Sequence, residues 1–276
     1  MQTCGGCSAV RAFLRLIFSA SLLTAIAPGL FAQDWQASLH DPAPGVFPAV
    51  RAMHATYRFG WRGITAAAAD VDVTKPGNHV VLEGKVRTVD MVKTLWNFEA
   101  VHVATADATS LHPIAVKQTE RVRSKQTLTS LAFDPQGVTS TRGKDSAKAK
   151  RLNMPNLFDL QTALLFVRSQ PLQNGNSYRF VVFPAKDPYL ITASVNRREK
   201  ITIAPGTFDS IAIDVQLSKI GRDKNLVPYK KFKKATVWLS DNPDRLLLRA
   251  EAEVFIGSVF AELQSVEFDK PQLQKD

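Results

Sequence analysis

Apolar and polar positions alternate along most of this chain. Ala55, Tyr57, Phe59 and Trp61 alternate with Thr56, Arg58 and Gly60, and Val80, Leu82 and Val86 with His79, Glu83, Lys85 and Arg87. The same period of two runs through Tyr178, Phe180 and Val182, through Tyr189 to Val195, and through Ile211 to Leu217. A period of two with one polar face predicts half-buried antiparallel strands. Turn signals such as Lys75-Pro76-Gly77-Asn78, Asn174-Gly175-Asn176 and Pro205-Gly206 separate the runs. Recurrent short strands of this kind predict a mainly β chain, roughly ten to twelve strands in one curved antiparallel sheet that forms a barrel or half-barrel.

The last hairpin has the plainest pattern. Leu248, Ala250, Ala252, Val254 and Ile256 share one face, Arg249, Glu251 and Glu253 the other, and Gly257-Ser258 supplies the expected two-residue turn. One or two short helices are expected on the sheet. The longer spans Leu157 to Arg168, where Leu157, Leu160, Leu164, Leu165, Val167 and Arg168 fall at helical spacing, Pro155 and Asn156 mark the start and Pro171 the stop. The shorter spans Val89 to Trp96, with Met91, Val92 and Leu95 as its apolar face. The polar stretch from Asp134 to Arg151 predicts a long mobile loop.

The start of the chain has a different logic. Arg11 and Arg15 precede twelve uncharged residues, Leu16 to Ala27; Pro28-Gly29 breaks them and Leu30-Phe31-Ala32 follows. That order is a basic, then apolar, then small-residue export signal with cleavage near Ala32. A membrane anchor is the competing reading, and it needs about 20 unbroken apolar residues. Cys4-Gly5-Gly6-Cys7 has a redox or metal spacing, but it lies in the segment to be removed. The resulting division is a signal peptide over 1–32, an N-terminal extension over 33–50, a barrel or half-barrel domain over 51–270 and a tail over 271–276. Both cysteines leave with the signal, so the expected compartment is the periplasm, where a cysteine-free chain folds without oxidation.

Known catalytic patterns are not found. The sequence has no G-x-S-x-G, H-E-x-x-H, P-loop or G-x-G-x-x-G. Its five histidines stand singly, so no metal or cofactor is expected. Glu251 and Glu253 share a strand face and read as its solvated side.

Charge adds one feature. Against 25 acidic residues the chain carries 35 Lys and Arg, two of them in the export signal, which leaves +8 on the mature chain. Seven of the basic residues fall between Lys219 and Lys234, with Asp223 the one acid among them. Lys230, Lys231, Lys233 and Lys234 alternate onto both faces of any strand, so a projecting hairpin arm is expected. Its functional reading is contact with an anionic membrane surface; its plain reading is a solvated loop. Nucleic acid is not an expected partner of an exported chain.

The chain resembles the DUF3108 family of exported bacterial proteins of unknown function. The resemblance runs from about Tyr57 to Leu263. It is carried by Tyr57 with Gly63-Ile64, Asp159-Leu160 through Arg168, Pro171-Leu172, Gly175, and Arg198-Glu199 with Pro205-Gly206-Thr207-Phe208. Val237-Trp238-Leu239-Ser240-Asp241 with Arg245, and Gly257-Ser258 with Ala261-Glu262-Leu263, complete it. A run of leucines, Leu246 to Leu248, departs from the pattern, where a proline is expected after the arginine. The family brings no catalytic residues. Its terminal hairpin is similar to that of periplasmic lipoprotein carriers, half-barrels whose curved sheet wraps an apolar cavity closed by a helix.

Together these readings predict a periplasmic, non-enzymatic protein that binds an apolar or amphipathic envelope molecule, a lipid or lipoprotein-like. Tyr57, Phe59, Trp61, Tyr178 and Phe180 are the candidate cavity wall. The alternative is a structural or interaction protein of the envelope, with a filled barrel, no ligand and an envelope protein as partner.

Overall fold

The computed structural model describes residues 35–46, 50–143, 149–229, 232–254 and 257–269. The export signal and its cysteines therefore lie outside the described residues. The first half of the chain is a meander: β1 (Met53–Trp61), β2 (Ile64–Thr74), β3 (His79–Thr88), helix α1 (Asp90–Leu95), β4 (Phe98–Asp107), β5 (Pro113–Val122), β6 (Lys125–Asp134), β7 (Gly137–Arg142) and β8 (Lys150–Asn153). The second half begins with β9 (Leu157–Phe158) and helix α2 (Leu160–Ser169). There follow β10 (Ser177–Val182), β11 (Tyr189–Ile203), β12 (Gly206–Ile220), β13 (Leu226–Pro228), β14 (Phe232–Ser240), β15 (Leu247–Val254) and β16 (Gly257–Phe268).

All sixteen strands belong to one curved, unclosed sheet. Strand β16 returns to pair with β1, opposing Tyr57 to Leu263, so the two halves of the chain join at the middle of the sheet. The free ends are β8 and β9, and among the described residues no ladder joins them. Side chains span the gap instead. Val138 of β7, Leu131, Val116 and Ala104 pack with Leu157, Val181 and Leu190 from the opposite end, and Ser140 Oγ donates to the Ala185 carbonyl (3.3 Å). The predicted mainly β half-barrel is therefore the fold. Its one departure from antiparallel order is the two-residue parallel pair of β9 with β10, which α2 connects as a crossover.

Helix α2 lies between the two arms of the sheet. Phe166, Val167 and Ala163 pack with Phe180, Ile191, Ile211 and Leu239 on one side, while Leu165 packs with Ala55, Tyr57, Val80 and Leu248 on the other. Each large apolar side chain so buried contributes about 1.5–3 kcal/mol relative to exposure. The helix starts later than the apolar spacing suggests. Leu157 and Phe158 are strand, and Asp159 is the N-cap: its Oδ1 accepts from the Gln161 backbone N–H (2.8 Å), its Oδ2 accepts from Thr162 Oγ1 (2.6 Å), and its own N–H donates to Thr162 Oγ1 (3.2 Å). That reciprocal pairing satisfies donors that a buried helix start would otherwise leave open. The helix ends at Ser169, ahead of Pro171.

Three further expectations change. The stretch from Asp134 to Arg151 is not one loop; it contributes β7 and β8, paired from Gly137 with Asn153 to Ser140 with Lys150. Gly257 and Ser258 are not a turn but the first residues of β16, opposing Val254 and Glu253. Helix α1 forms where expected, yet Met91 and Leu95 are 81% and 57% exposed, and Trp96 beyond its end is the buried residue.

Candidate functional site

The candidate wall residues divide between separate parts of the interior. Tyr178 packs under α2 with Phe180, and its hydroxyl donates to the Pro171 carbonyl (2.8 Å). Phe180 meets Phe158 and Phe166 edge-on at 6.1 and 5.4 Å. Tyr57 lies in the core between β1 and β15, its hydroxyl donating to the Leu247 carbonyl (3.0 Å); burial pushes that hydroxyl well above its ordinary pKa. Phe59 is half-buried beside Trp96 and Phe98 at the far end of β1. Trp61 is half-buried at the tip of β1 under the Arg62 guanidinium. The sheet brings Tyr57 and Phe59 together, and Tyr178 and Phe180 together.

The described part of the basic segment before Lys230 lies against the body. β13 returns along β12, opposing Val227 to Lys219, and Lys219 pairs with Asp187 (3.0 Å). The Lys224 carbonyl accepts from Trp35 Nε1 (2.8 Å), and the Tyr229 ring meets Tyr189 edge-on. Lys230 and Lys231 lie outside the described residues. Lys233 and Lys234 are in β14, with Lys234 opposite Glu253.

A cleft of about 150 Å³ opens where α2 ends. Its walls come from five places: the N-terminal segment (Pro44, Gly45, Val50), the β2–β3 turn (Lys75), the β4–β5 turn (Leu111), the C-terminal half of α2 (Leu165, Arg168) and the β14–β15 turn (Asp244, Arg245). The local sequence explains how they meet. Gly45 lies so close to the helix end that a Cβ there would sit 2.2 Å from the Ser169 carbonyl oxygen, and its N–H donates to Ser169 Oγ (3.0 Å). Arg245 Nη1 donates to the carbonyls of Arg168 (3.0 Å) and Gln170, occupying acceptors that the helix leaves free at its C-terminus. Arg168 Nη2 donates to the Asp244 carbonyl. Its Nε is buried and has no hydrogen-bond partner. A buried donor left without a partner costs about 1–3 kcal/mol.

The electrostatics of the cleft are positive. Lys75, Arg168 and Arg245 face Asp244, whose carboxylate pairs with Arg51 (3.3 Å). Burial lowers the Arg168 guanidinium from its ordinary value, and burial takes Arg245 down to about 10, which leaves it charged at neutral pH. Val50, Val80, Leu111 and Leu165 provide an apolar side. The arrangement suits an anion attached to a short apolar group. A volume of this size matches a cavity that holds a benzene-sized molecule. Arg168 and Arg245 were not candidate ligand residues in the sequence reading. The available signal was Arg168 itself, a cation within the apolar stripe of a helix.

Several residues that carry the family resemblance converge on the same end. Arg198 donates to Asp241 (2.7 Å) and to the Leu172 carbonyl (2.8 Å), Trp238 Nε1 donates to Glu199 (2.7 Å), and Ser240 Oγ accepts from the Leu246 N–H (2.7 Å). They fasten the β14–β15 turn and the segment after α2 to the sheet. Among the described residues no three His, Cys, Asp or Glu side chains gather as a metal site, and no helix is long and apolar enough to cross a membrane.

These features define an unclosed, β-barrel-like protein with a helix inside its curve and a small amphipathic cleft at one end. The chain belongs to the DUF3108 family of proteins of unknown function, whose profile matches residues 56–264. No curated protein matches the sequence. Among solved structures, the β-barrel-like protein of domain of unknown function DUF1849 from Brucella abortus is similar, at 11% identity over 81% of this chain and 100% of that one, with a TM-score of 0.55. A DUF1089 family protein from Pseudomonas aeruginosa aligns at 9% identity over 68% of this chain and 90% of its own, with a TM-score of 0.35.

Proposed function

We propose that this is a periplasmic, non-enzymatic binding protein for an anionic amphiphile. The acidic group of the ligand sits at Arg168 and Arg245, and the first carbons of its apolar part lie against Val50, Leu111 and Leu165. The observation that carries this reading is the meeting of Lys75, Arg168 and Arg245 with Val50, Leu111 and Leu165 in the wall of one cleft. Guanidinium groups offer charge-assisted N–H donors that match a carboxylate or phosphate. The cleft is small beside the usual 300–1,000 Å³ of small-molecule sites, at about 150 Å³, so the rest of a long chain would lie outside it. Native mass spectrometry of the protein purified from its own envelope tests the reading. A bound single-chain acid, lost in Arg168→Gln, supports it; a mass equal to the bare mature chain throughout argues against it.

A second reading has its own observation. Phe158, Phe166, Phe180 and Leu172 fill the curve of the sheet beside α2, all at 5% exposure or less. That packing supports a structural or interaction protein of the envelope whose outer surface does the work. An empty cleft in the same spectra favours it.

A further inference from the structure

The end of the half-barrel opposite the cleft has an unusual surface. The β1–β2 tip (Arg62-Gly63), helix α1 and the β5–β6 tip (Arg123-Ser124) lie side by side there. The Val89 N–H donates to the Ala66 carbonyl (3.1 Å) and the Arg123 N–H to the Asn97 carbonyl (2.9 Å), which fixes α1 between the two tips. The cleft is lined from the other ends of the same strands, at the β2–β3 and β4–β5 turns. Three of the most exposed large apolar side chains of the described residues are gathered at this end: Met91 at 81%, Ile64 at 62% and Leu95 at 57%. Trp96 and Phe98 stack beneath them at 5.1 Å, so the apolar face of α1 is held outward by its anchor.

The cations here stand in places where turn chemistry disfavours them. Arg62 and Arg123 are the first residues of two-residue hairpin tips, at φ of 48° and 55°. Such positions favour Gly, Asn or Asp, because a Cβ clashes in the left-handed region. Lys93 adds a third exposed cation on α1. Acids nearby include Asp90, Glu253 opposite Ser258, and Glu99, which already pairs with Arg121 (3.6 Å). Exposed methionine, leucine and isoleucine ringed by exposed arginine and lysine form the surface that binds an anionic bilayer: the apolar groups enter the headgroup layer and the cations meet phosphates.

We propose that this end of the half-barrel docks on an anionic lipid membrane through Ile64, Met91 and Leu95, with Arg62, Lys93 and Arg123 at the phosphates. The proposal uses no part of the cleft and stands whether or not the cleft takes a ligand.

The test is co-sedimentation of the mature chain with vesicles of mixed phosphatidylglycerol and phosphatidylcholine, and with phosphatidylcholine alone. The wild type should bind the mixed vesicles, bind the neutral ones at least tenfold more weakly, and lose affinity as salt rises. Arg62→Asn/Arg123→Asn should bind at least tenfold more weakly, at about fivefold per cation. Asparagine suits both tip positions, so its melting temperature should stay the same or rise, which separates lost docking from lost folding. Met91→Ser/Leu95→Ser should also weaken binding several-fold with folding intact. Failure of the wild type to bind mixed vesicles, or equal binding by either double variant, overturns the proposal. So does a wild-type dimer in sedimentation velocity that Met91→Ser/Leu95→Ser abolishes, since the face would then belong to a second copy of the chain.

Discussion

Arg245 donates from Nη1 to the carbonyl of Arg168 at 3.0 Å. One guanidinium thus caps the helix that carries the other, and both line the cleft. The contact joins the β14–β15 turn to the end of α2. It places two cations side by side in the wall of the cleft, with Asp244 beside them.

The seat of α2 depends on Asp159, which is buried at 1% exposure and accepts from two backbone N–H groups and the Thr162 hydroxyl. Asp159→Ala leaves those donors open. The expected loss is about 1–2 kcal/mol, read as a lower urea midpoint with an unchanged slope. Asp159→Asn, which keeps an acceptor, should lose less. Equal stability of the alanine variant and the wild type would show that the cap does not hold the helix.

Close approach of backbone explains one glycine and left-handed backbone another. A Cβ on Gly60 would sit 2.3 Å from the Ile64 carbonyl oxygen and 2.4 Å from the Phe260 ring, which Arg58 and Arg249 flank on the outer face. Gly63 has a φ of +83° with open space around it. Gly60→Ala should therefore lose about 1–3 kcal/mol through overpacking, and Gly63→Ala about 1–2 kcal/mol through backbone strain alone. Thermal melts of the two variants check this, and a stabilised Gly60→Ala contradicts the packing of Phe260.

Two histidines give the fold an acid-side dependence. Burial lowers the pKa of His102, against the opposing pull of Asp159, and burial also lowers His112, which stacks on Phe158 at 5.4 Å. A depressed folded-state pKa means that the unfolded chain binds protons first. Stability present above about pH 6.5 is then lost as pH falls through the folded-state values. His54 acts in the opposite sense: its pKa is raised by the hydrogen bond to Asp72, so its contribution is present below about pH 6.5 and fades as pH rises through the raised value. Urea midpoints between pH 7 and pH 5 should fall, and His102→Gln/His112→Gln should flatten that fall. An undiminished slope in the double variant would move its origin elsewhere.

Alternation made β1, β3, β10, β11, β12, β15 and β16 legible, because each has one apolar and one polar face. It was silent for β5 to β8. There the inner face is mixed: beside the apolar Val116, Leu131 and Val138, the residues Gly84, His102, Gln118, Thr129 and Arg142 oppose one another in a single row across five strands. Where that polar row interrupts the apolar positions the period of two is broken, and a sheet edge reads as a loop. For α2, Leu157 and Phe158 share the helical spacing but belong to the parallel pair with β10, a contact distant in sequence. The pattern of α1 identified a helix with an apolar side, but periodicity does not say which side faces the core. The cleft was legible only as Arg168 in an apolar stripe, because its walls come from turns that the fold alone brings together.

The most direct test of the central claim is a fluorescence titration with a dansyl-labelled fatty acid against the wild type, Arg168→Gln and Leu111→Asp. Leu111 has a φ of 56°, a conformation aspartate tolerates better than leucine, so that variant should fold while placing a negative charge in the cleft. Saturable binding at one site, weakened at least tenfold by each substitution, is the predicted result. Binding that is absent in the wild type, or the same in all three proteins, would contradict the assignment of the cleft as the ligand site.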